Sequence, residues 1–68
     1  PGDDLLENQA KMREYIENGV RLGWLIDLSK RHVEIYRQGQ AVEILRAPNF
    51  LLGEDVLPGF ILYLRTFW

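Results

Sequence analysis

The residues that could do chemistry in this sequence are few and scattered. His32 is the only histidine, and it follows Lys30 and Arg31 in a short basic run. One histidine cannot by itself hold a metal ion through imidazole nitrogens, and three adjacent basic residues are typical of a solvated turn. We therefore interpret His32 as a surface residue, although the run has the charge to contact a phosphate.

The remaining polar residues also lack a spacing specific to one reaction. The acidic pairs Asp3-Asp4 and Glu54-Asp55 are more typical of a helix cap and a loop than of a cation site. The hydroxyl side chains have no base at a spacing that indicates an activated nucleophile. Lys11, taken by itself, is an ordinary lysine among polar positions of a helix. These residues alone do not predict an enzyme.

Composition limits the classes of protein to which the chain can belong. Its 68 residues are 47% hydrophobic and 26% charged, include no cysteine and carry a formal net charge of −2. No disulfide or thiolate metal site can form, and the charge does not favour nucleic acid. No apolar run approaches the roughly 20 residues that a membrane helix needs. We expect a single cytoplasmic domain over residues 1–68 that does not associate with membranes.

The helix that positions Lys11 is the clearest predicted element. Asp4 is a suitable N-cap, with Glu7 three residues later. Gly19 is the residue best able to adopt the left-handed conformation that ends a helix. The sequence therefore predicts a helix over about residues 4–18. Its apolar side is predicted to contain Leu5, Met12, Tyr15 and Ile16, with Leu6 and Ala10 beside them.

The stretch after Gly19 organises the rest of the chain. Residues 21–27 are predicted to form a strand with Leu22, Trp24 and Ile26 on one face and Leu25 on the other. A strand that is apolar on both faces belongs in a sheet that is covered twice, yet the chain offers only one helix. The predicted fold class is α+β, with one N-terminal helix followed by an antiparallel sheet of three to four strands over about residues 21–64.

A hairpin is predicted in the middle of this sheet. Residues 32–37 and 41–46 alternate between apolar and polar side chains, and Gln38-Gly39 between them is a tight-turn signal. Phe60 to Leu64 is compatible with a last strand. A two-residue loop would pair Glu34 with Glu43, an unfavourable like-charge pair. The same register would place four β-branched residues on one face, namely Val33, Ile35, Val42 and Ile44.

An ordered pattern over nearly the whole chain carries a family resemblance. It consists of KMREYIENGVRLGWLID at 11–27, VEIYRQG at 33–39 and LGEDVLPGF at 52–60. These segments resemble a bacterial family of restriction-endonuclease-like proteins, itself similar to PD-(D/E)XK nucleases with an αβββαβ core around a metal-dependent site. The matching segments resemble the second helix, the following strand and the C-terminal hairpin. The chain is therefore interpreted as the C-terminal part of such a domain.

The resemblance implies an incomplete catalytic site. In the family, the aspartate and glutamate ligands for Mg²⁺ lie upstream, on an earlier helix and three strands. Lys11 matches the position of a lysine that stabilises charge on the phosphate, whereas Tyr15 fits the family pattern through packing. Without the carboxylates, Lys11 can neither hold a metal nor activate water. The resemblance therefore implies no cofactor for this chain alone, and Mg²⁺ only if a partner supplies the carboxylates.

Three functions are compatible with this interpretation. The first is a truncated, non-catalytic endonuclease-like domain that associates with itself. The second is one part of a Mg²⁺-dependent nuclease completed by another polypeptide. The third is a small protein-binding module that uses a strand edge or the apolar tail. We do not expect the isolated chain to bind nucleic acid.

Self-association is expected because the predicted helix and strands are too few to cover all of the apolar side chains. If the upstream sheet is missing, Leu22, Trp24 and Ile26 lack part of their cover, and the C-terminal aromatics Phe60, Phe67 and Trp68 add to the exposed surface. The expected state is a homodimer or higher oligomer with Trp24 or the C-terminal aromatics in or near the interface.

Overall fold

A computed structural model describes residues 3–68, without the side chains of Asp3 and Asp4, so the predicted Asp4 cap lies outside the described side chains. The α+β class is confirmed: one helix is followed by antiparallel strands. No helix in this part of the chain is both long enough and apolar enough to span a membrane. The elements are α1 (Asp3–Glu17), β1 (Leu22–Asp27), β2 (His32–Arg37), β3 (Glu43–Arg46), β4 (Phe50–Leu52) and β5 (Ile61–Tyr63).

The end of α1 confirms the prediction made from Gly19. Gly19 has a φ of 102°, its N–H donates to the carbonyl of Ile16 at 3.1 Å, and the N–H of Val20 donates to the carbonyl of Tyr15 at 3.0 Å. These two hydrogen bonds define a Schellman motif, which satisfies carbonyls at the end of a helix. Glycine accepts this positive φ without the clash that a Cβ would cause.

The sheet-facing side of α1 differs from the prediction at one position. Leu5, Met12 and Ile16 are half-buried as predicted, but Tyr15 is 49% exposed, so its assignment to the apolar side is wrong. The half-buried positions are 5, 9, 12 and 16, a helical stripe that includes Gln9 and leaves Tyr15 beside it. Met12 lies above Gly23 of β1, where an added Cβ would lie 2.5 Å from the Met12 Cε.

The strands form two separate antiparallel sheets. The first has the order β1-β2-β3, and β4 pairs with β5 in the second. The last predicted strand corresponds to β5, and it pairs with β4. The sequence pattern did not indicate β4. The hairpin of β4 and β5 packs on the face of the first sheet opposite α1. The buried core between the sheets contains Val33, Ile35, Leu51 and Leu64.

The two faces of β1 are covered by different parts of the chain. Leu22, Trp24 and Ile26 pack against the buried core, and the Trp24 ring stacks on Phe60 with centroids 6.2 Å apart. The prediction of a strand covered twice is confirmed. These three side chains are half-buried, because the C-terminal hairpin folds back over them and supplies part of the cover that the sequence left open.

The predicted register of the β2–β3 hairpin is wrong by one residue. The turn at Gln38-Gly39 is present, with Gly39 at a φ of 68°, but Val33 pairs with Leu45 rather than with Ile44. A shift of one residue moves every side chain of the shifted strand to the opposite face of the sheet. Val33 and Leu45 therefore share the core face, while Ile44 is 62% exposed.

The observed register also removes a charge conflict. Glu34 lies opposite Ile44, and Glu43 lies opposite Ile35, so the two glutamates are not cross-strand neighbours. Each carboxylate instead has its own hydrogen-bond donors. Avoiding a like-charge pair and burying Leu45 both favour this register over the predicted one.

Candidate functional site

The candidate catalytic lysine lies on the outer side of α1. Lys11 is exposed and is not part of the half-buried stripe that faces the sheet. A nuclease lysine of this type acts beside carboxylates that hold a metal ion. Among residues 5–68, whose side chains the structure describes, no three acidic or histidine residues form a group that could hold a metal. The catalytic role of Lys11 therefore stays a prediction.

A polar cluster joins α1 to β2. The carboxylate of Glu34 accepts a hydrogen bond from Gln9 Nε2 at 2.8 Å and another from the Tyr36 hydroxyl at 2.7 Å. Burial and then the bond to Glu34 raise the pKa of Tyr36 to about 12. The hydroxyl therefore stays protonated at neutral pH and donates to Glu34. This cluster was not predicted from the sequence, although the alternation of β2 already places Glu34 and Tyr36 on one face.

A second charged cluster holds the C-terminal hairpin on the first sheet. Arg37 Nε donates to both carboxylate oxygens of Glu54 at 3.0 Å, and its Nη2 donates to Glu54 Oε2 at 2.7 Å. Arg37 Nη1 donates to Glu43 at 2.8 Å. The hydrogen bonds from Arg37 lower the pKa of Glu54. Glu54 is therefore a structural partner of Arg37 rather than a candidate cation ligand.

Glu54→Gln should make the protein less stable near neutral pH, by about 1 kcal/mol for a partly exposed charged pair. Because the pKa of Glu54 in the folded state lies below its ordinary 4.5, the pair stabilises the wild type fully above that value. This stabilisation is lost as pH falls through the lowered pKa. Urea unfolding from neutral pH down to about pH 3 should therefore show the difference between wild type and variant shrinking.

Asp55→Asn is the matched control, because Asp55 is an exposed neighbour and accepts from Arg21 only through its backbone carbonyl. It should change stability by less than about 0.5 kcal/mol. A Glu54→Gln deficit that stays constant across the pH range would show that the carboxylate charge does not stabilise the hairpin.

The basic run at residues 30–32 lies at the turn between β1 and β2. Asp27 accepts a hydrogen bond from the Ser29 hydroxyl at 2.8 Å and from the Lys30 N–H at 3.1 Å. The Lys30 N–H and then the Ser29 hydroxyl lower the pKa of Asp27. Lys30 and Arg31 are exposed, and His32 begins β2 opposite Arg46. The local contacts are those of a structured turn.

Comparison with known proteins extends the resemblance found in the sequence. The model of the Uma2 family, described as "Putative restriction endonuclease", matches residues 1–65. The match includes α1 and all five strands of the described fold. None of the curated proteins matches the chain. The chain thus belongs to the Uma2 family of restriction-endonuclease-like proteins.

Proposed function

We propose that this chain is the C-terminal part of a restriction-endonuclease-like domain and that it does not hydrolyse nucleic acid by itself. The observation that carries this proposal is the distribution of its carboxylates. Asp27 and Glu34 accept hydrogen bonds from separate donors, whereas Glu43 and Glu54 both accept from Arg37. No metal-binding group of three forms among residues 5–68. These residues therefore do not fit the Mg²⁺ ion that the family resemblance implies.

In this proposal, Lys11 is one component of a site that another polypeptide segment completes. Its exposure on α1 leaves its ammonium group accessible to such a segment. A positioned ammonium can stabilise the charge that develops on a phosphate once the other components are present. The net charge of −2 opposes binding of a nucleic acid to the chain alone.

The exposed edge of β1 is the proposed attachment point for the completing strands. β1 pairs only with β2 in the described sheet, so its other edge offers backbone donors and acceptors. Both faces of β1 are covered, which is typical of an interior strand. Strand addition at this edge would continue the sheet beside α1. Self-association is a second proposed property of this chain.

A plasmid-nicking assay tests the catalytic part of the proposal. Supercoiled plasmid incubated with the pure chain and Mg²⁺ or Mn²⁺ should stay intact, and Lys11→Ala should not change this result. Lys30→Ala is the matched control, because it removes an exposed lysine from a turn instead of from α1. Nicking by the wild type and Lys30→Ala, but not by Lys11→Ala, would show that the site is already complete.

Complementation tests the second part of the proposal. The chain should be mixed with, or fused to, a segment that carries the acidic helix and strands of a longer family member. We expect metal-dependent nicking to appear and to be lost with Lys11→Ala while Lys30→Ala retains it. Nicking that is insensitive to Lys11→Ala would contradict the assigned role of Lys11.

A further inference from the structure

The hairpin formed by β4 and β5 is apolar on both faces. Leu51 and Leu62 point to the core, and Leu51 is 2% exposed. On the opposite side, Phe50 pairs with Tyr63 and Leu52 pairs with Ile61. We call these four side chains the outer hairpin face. A sheet with two apolar faces belongs between two covering layers, and the described residues provide one of them.

The outer hairpin face is large for a chain of this size. Its side chains are exposed at 49% for Phe50, 49% for Leu52, 41% for Ile61 and 62% for Tyr63. Each large side chain can expose roughly 200 Å², and about half of that area is exposed at each of the four positions. The face therefore presents on the order of 400 Å² of surface. Apolar patches of this size on soluble proteins are often interaction sites. None of the four residues is charged, so the face suits an apolar partner.

We propose that the outer hairpin face is the interface between two copies of this chain, related by a two-fold axis. This inference rests on the proposed self-association and names its surface. A two-fold axis brings the same patch of each copy together, so an uncharged, apolar hairpin face is complementary to itself. Trp24 lies on the core side of the hairpin, stacked on Phe60, and is therefore not the centre of this interface.

The available area is consistent with a dimer. Two outer hairpin faces would bury on the order of 800 Å² in total. This area is below the roughly 1,200 Å² of a standard-size interface, as is typical of a weak or transient contact. A weak dimer with a dissociation constant in the micromolar range fits this area.

The segment that completes the nuclease site is a poor occupant of this face. Strands added at β1 would extend the first sheet sideways, in its own plane. The outer hairpin face is on the far side of β4 and β5 from that sheet, beyond the core of Val33, Ile35, Leu51 and Leu64. A second copy can therefore bind at this face while the β1 edge stays accessible.

Sedimentation velocity of the full chain tests the inference over a range of about 1 to 100 µM, where a dimer with this area should form. The wild type should show a concentration-dependent monomer–dimer equilibrium. Phe50→Thr combined with Tyr63→Thr should raise the dissociation constant at least tenfold, because it removes two aromatic anchors while keeping residues that favour strands. Ile44→Thr, at a strand residue that is 62% exposed on β3, should change it less than about twofold.

Cross-linking provides an independent measurement if the double variant does not fold. The chain has no cysteine, so Leu52→Cys introduces a single thiol on the outer hairpin face. Mild oxidation should convert this variant to a disulfide-linked dimer, whereas Ile44→Cys should stay monomeric on a denaturing gel. Equal cross-linking of both variants would overturn the interface.

The remaining outcomes distinguish this inference from the proposed function. A wild type that is monomeric at the highest concentration overturns self-association and the interface, but leaves the plasmid-nicking result unaffected. A dimer that the Phe50→Thr/Tyr63→Thr variant retains and Ile44→Thr weakens overturns only the outer hairpin face as the interface.

Discussion

Gly53→Ala should destabilise the protein by about 2 to 4 kcal/mol, enough to unfold a large fraction of a domain this small. Gly53 is buried, and a Cβ at this position would contact the Leu57 carbonyl and lie 2.7 Å from the Leu57 Cβ and 3.0 Å from the Phe60 Cβ. The same residues hold the loop by backbone hydrogen bonds. Gly53 accepts from Leu57 and donates to Phe60, both at 2.9 Å. The clash can be relieved only by moving this backbone.

Gly23→Ala is the matched control for this substitution. Its added Cβ would meet the Cε of Met12, the end of a flexible side chain that can rotate away. Its expected cost is below about 1 kcal/mol, so Gly53→Ala should have the lower urea midpoint at equal protein concentration. Equal midpoints for the two variants would show that the loop after β4 relaxes easily.

Leu64→Ala should have a comparable effect through the core. Leu64 is fully buried, at 0% exposure, and belongs to the cluster that joins the hairpin to β2. Removing a buried leucine side chain costs about 2 to 5 kcal/mol, depending on how far the cavity collapses. Thermal unfolding followed by circular dichroism should show a much lower midpoint or no cooperative transition.

Leu6→Ala is the matched control, because it removes a leucine side chain from an exposed position and leaves no buried cavity. Leu6 is 70% exposed on α1, and alanine is a strong helix former, so the change should be within about 0.5 kcal/mol. If Leu64→Ala unfolded at the temperature of the wild type, the hairpin would not be part of the cooperative core. The first sheet and α1 would then unfold independently of the C-terminal strands.

The elements that the sequence predicted correctly are those decided by neighbouring residues. The end of α1 depends on the conformational freedom of Gly19 and on hydrogen bonds within five residues. The turn between β2 and β3 depends on Gln38-Gly39 in the same way. The ordered segments around these signals also sufficed to predict the family that the comparison shows.

The candidate site was predictable only as a single position. Lys11 follows from its place in the family pattern, and the structure adds that it is exposed on α1. The Glu34 and Arg37 clusters were not predicted, because Gln9 is 25 residues from Glu34 and Glu54 is 17 residues from Arg37. These partners come together only when α1 and the C-terminal hairpin pack on opposite faces of the first sheet.

By itself, therefore, the sequence determined the α+β class, the limits of most elements and the two-sided burial of β1. The tertiary structure decided which segment covers the second face of β1, which register β3 adopts and which face of the β4–β5 hairpin stays exposed. Local alternation favoured the register that pairs Val33 with Ile44, and a shift of one residue turns every side chain of β3 to the opposite face. Burial of Leu45 beside Val33, the separation of Glu34 from Glu43, and the packing of Leu51 and Leu64 decide between the alternatives. These contacts join segments distant in sequence.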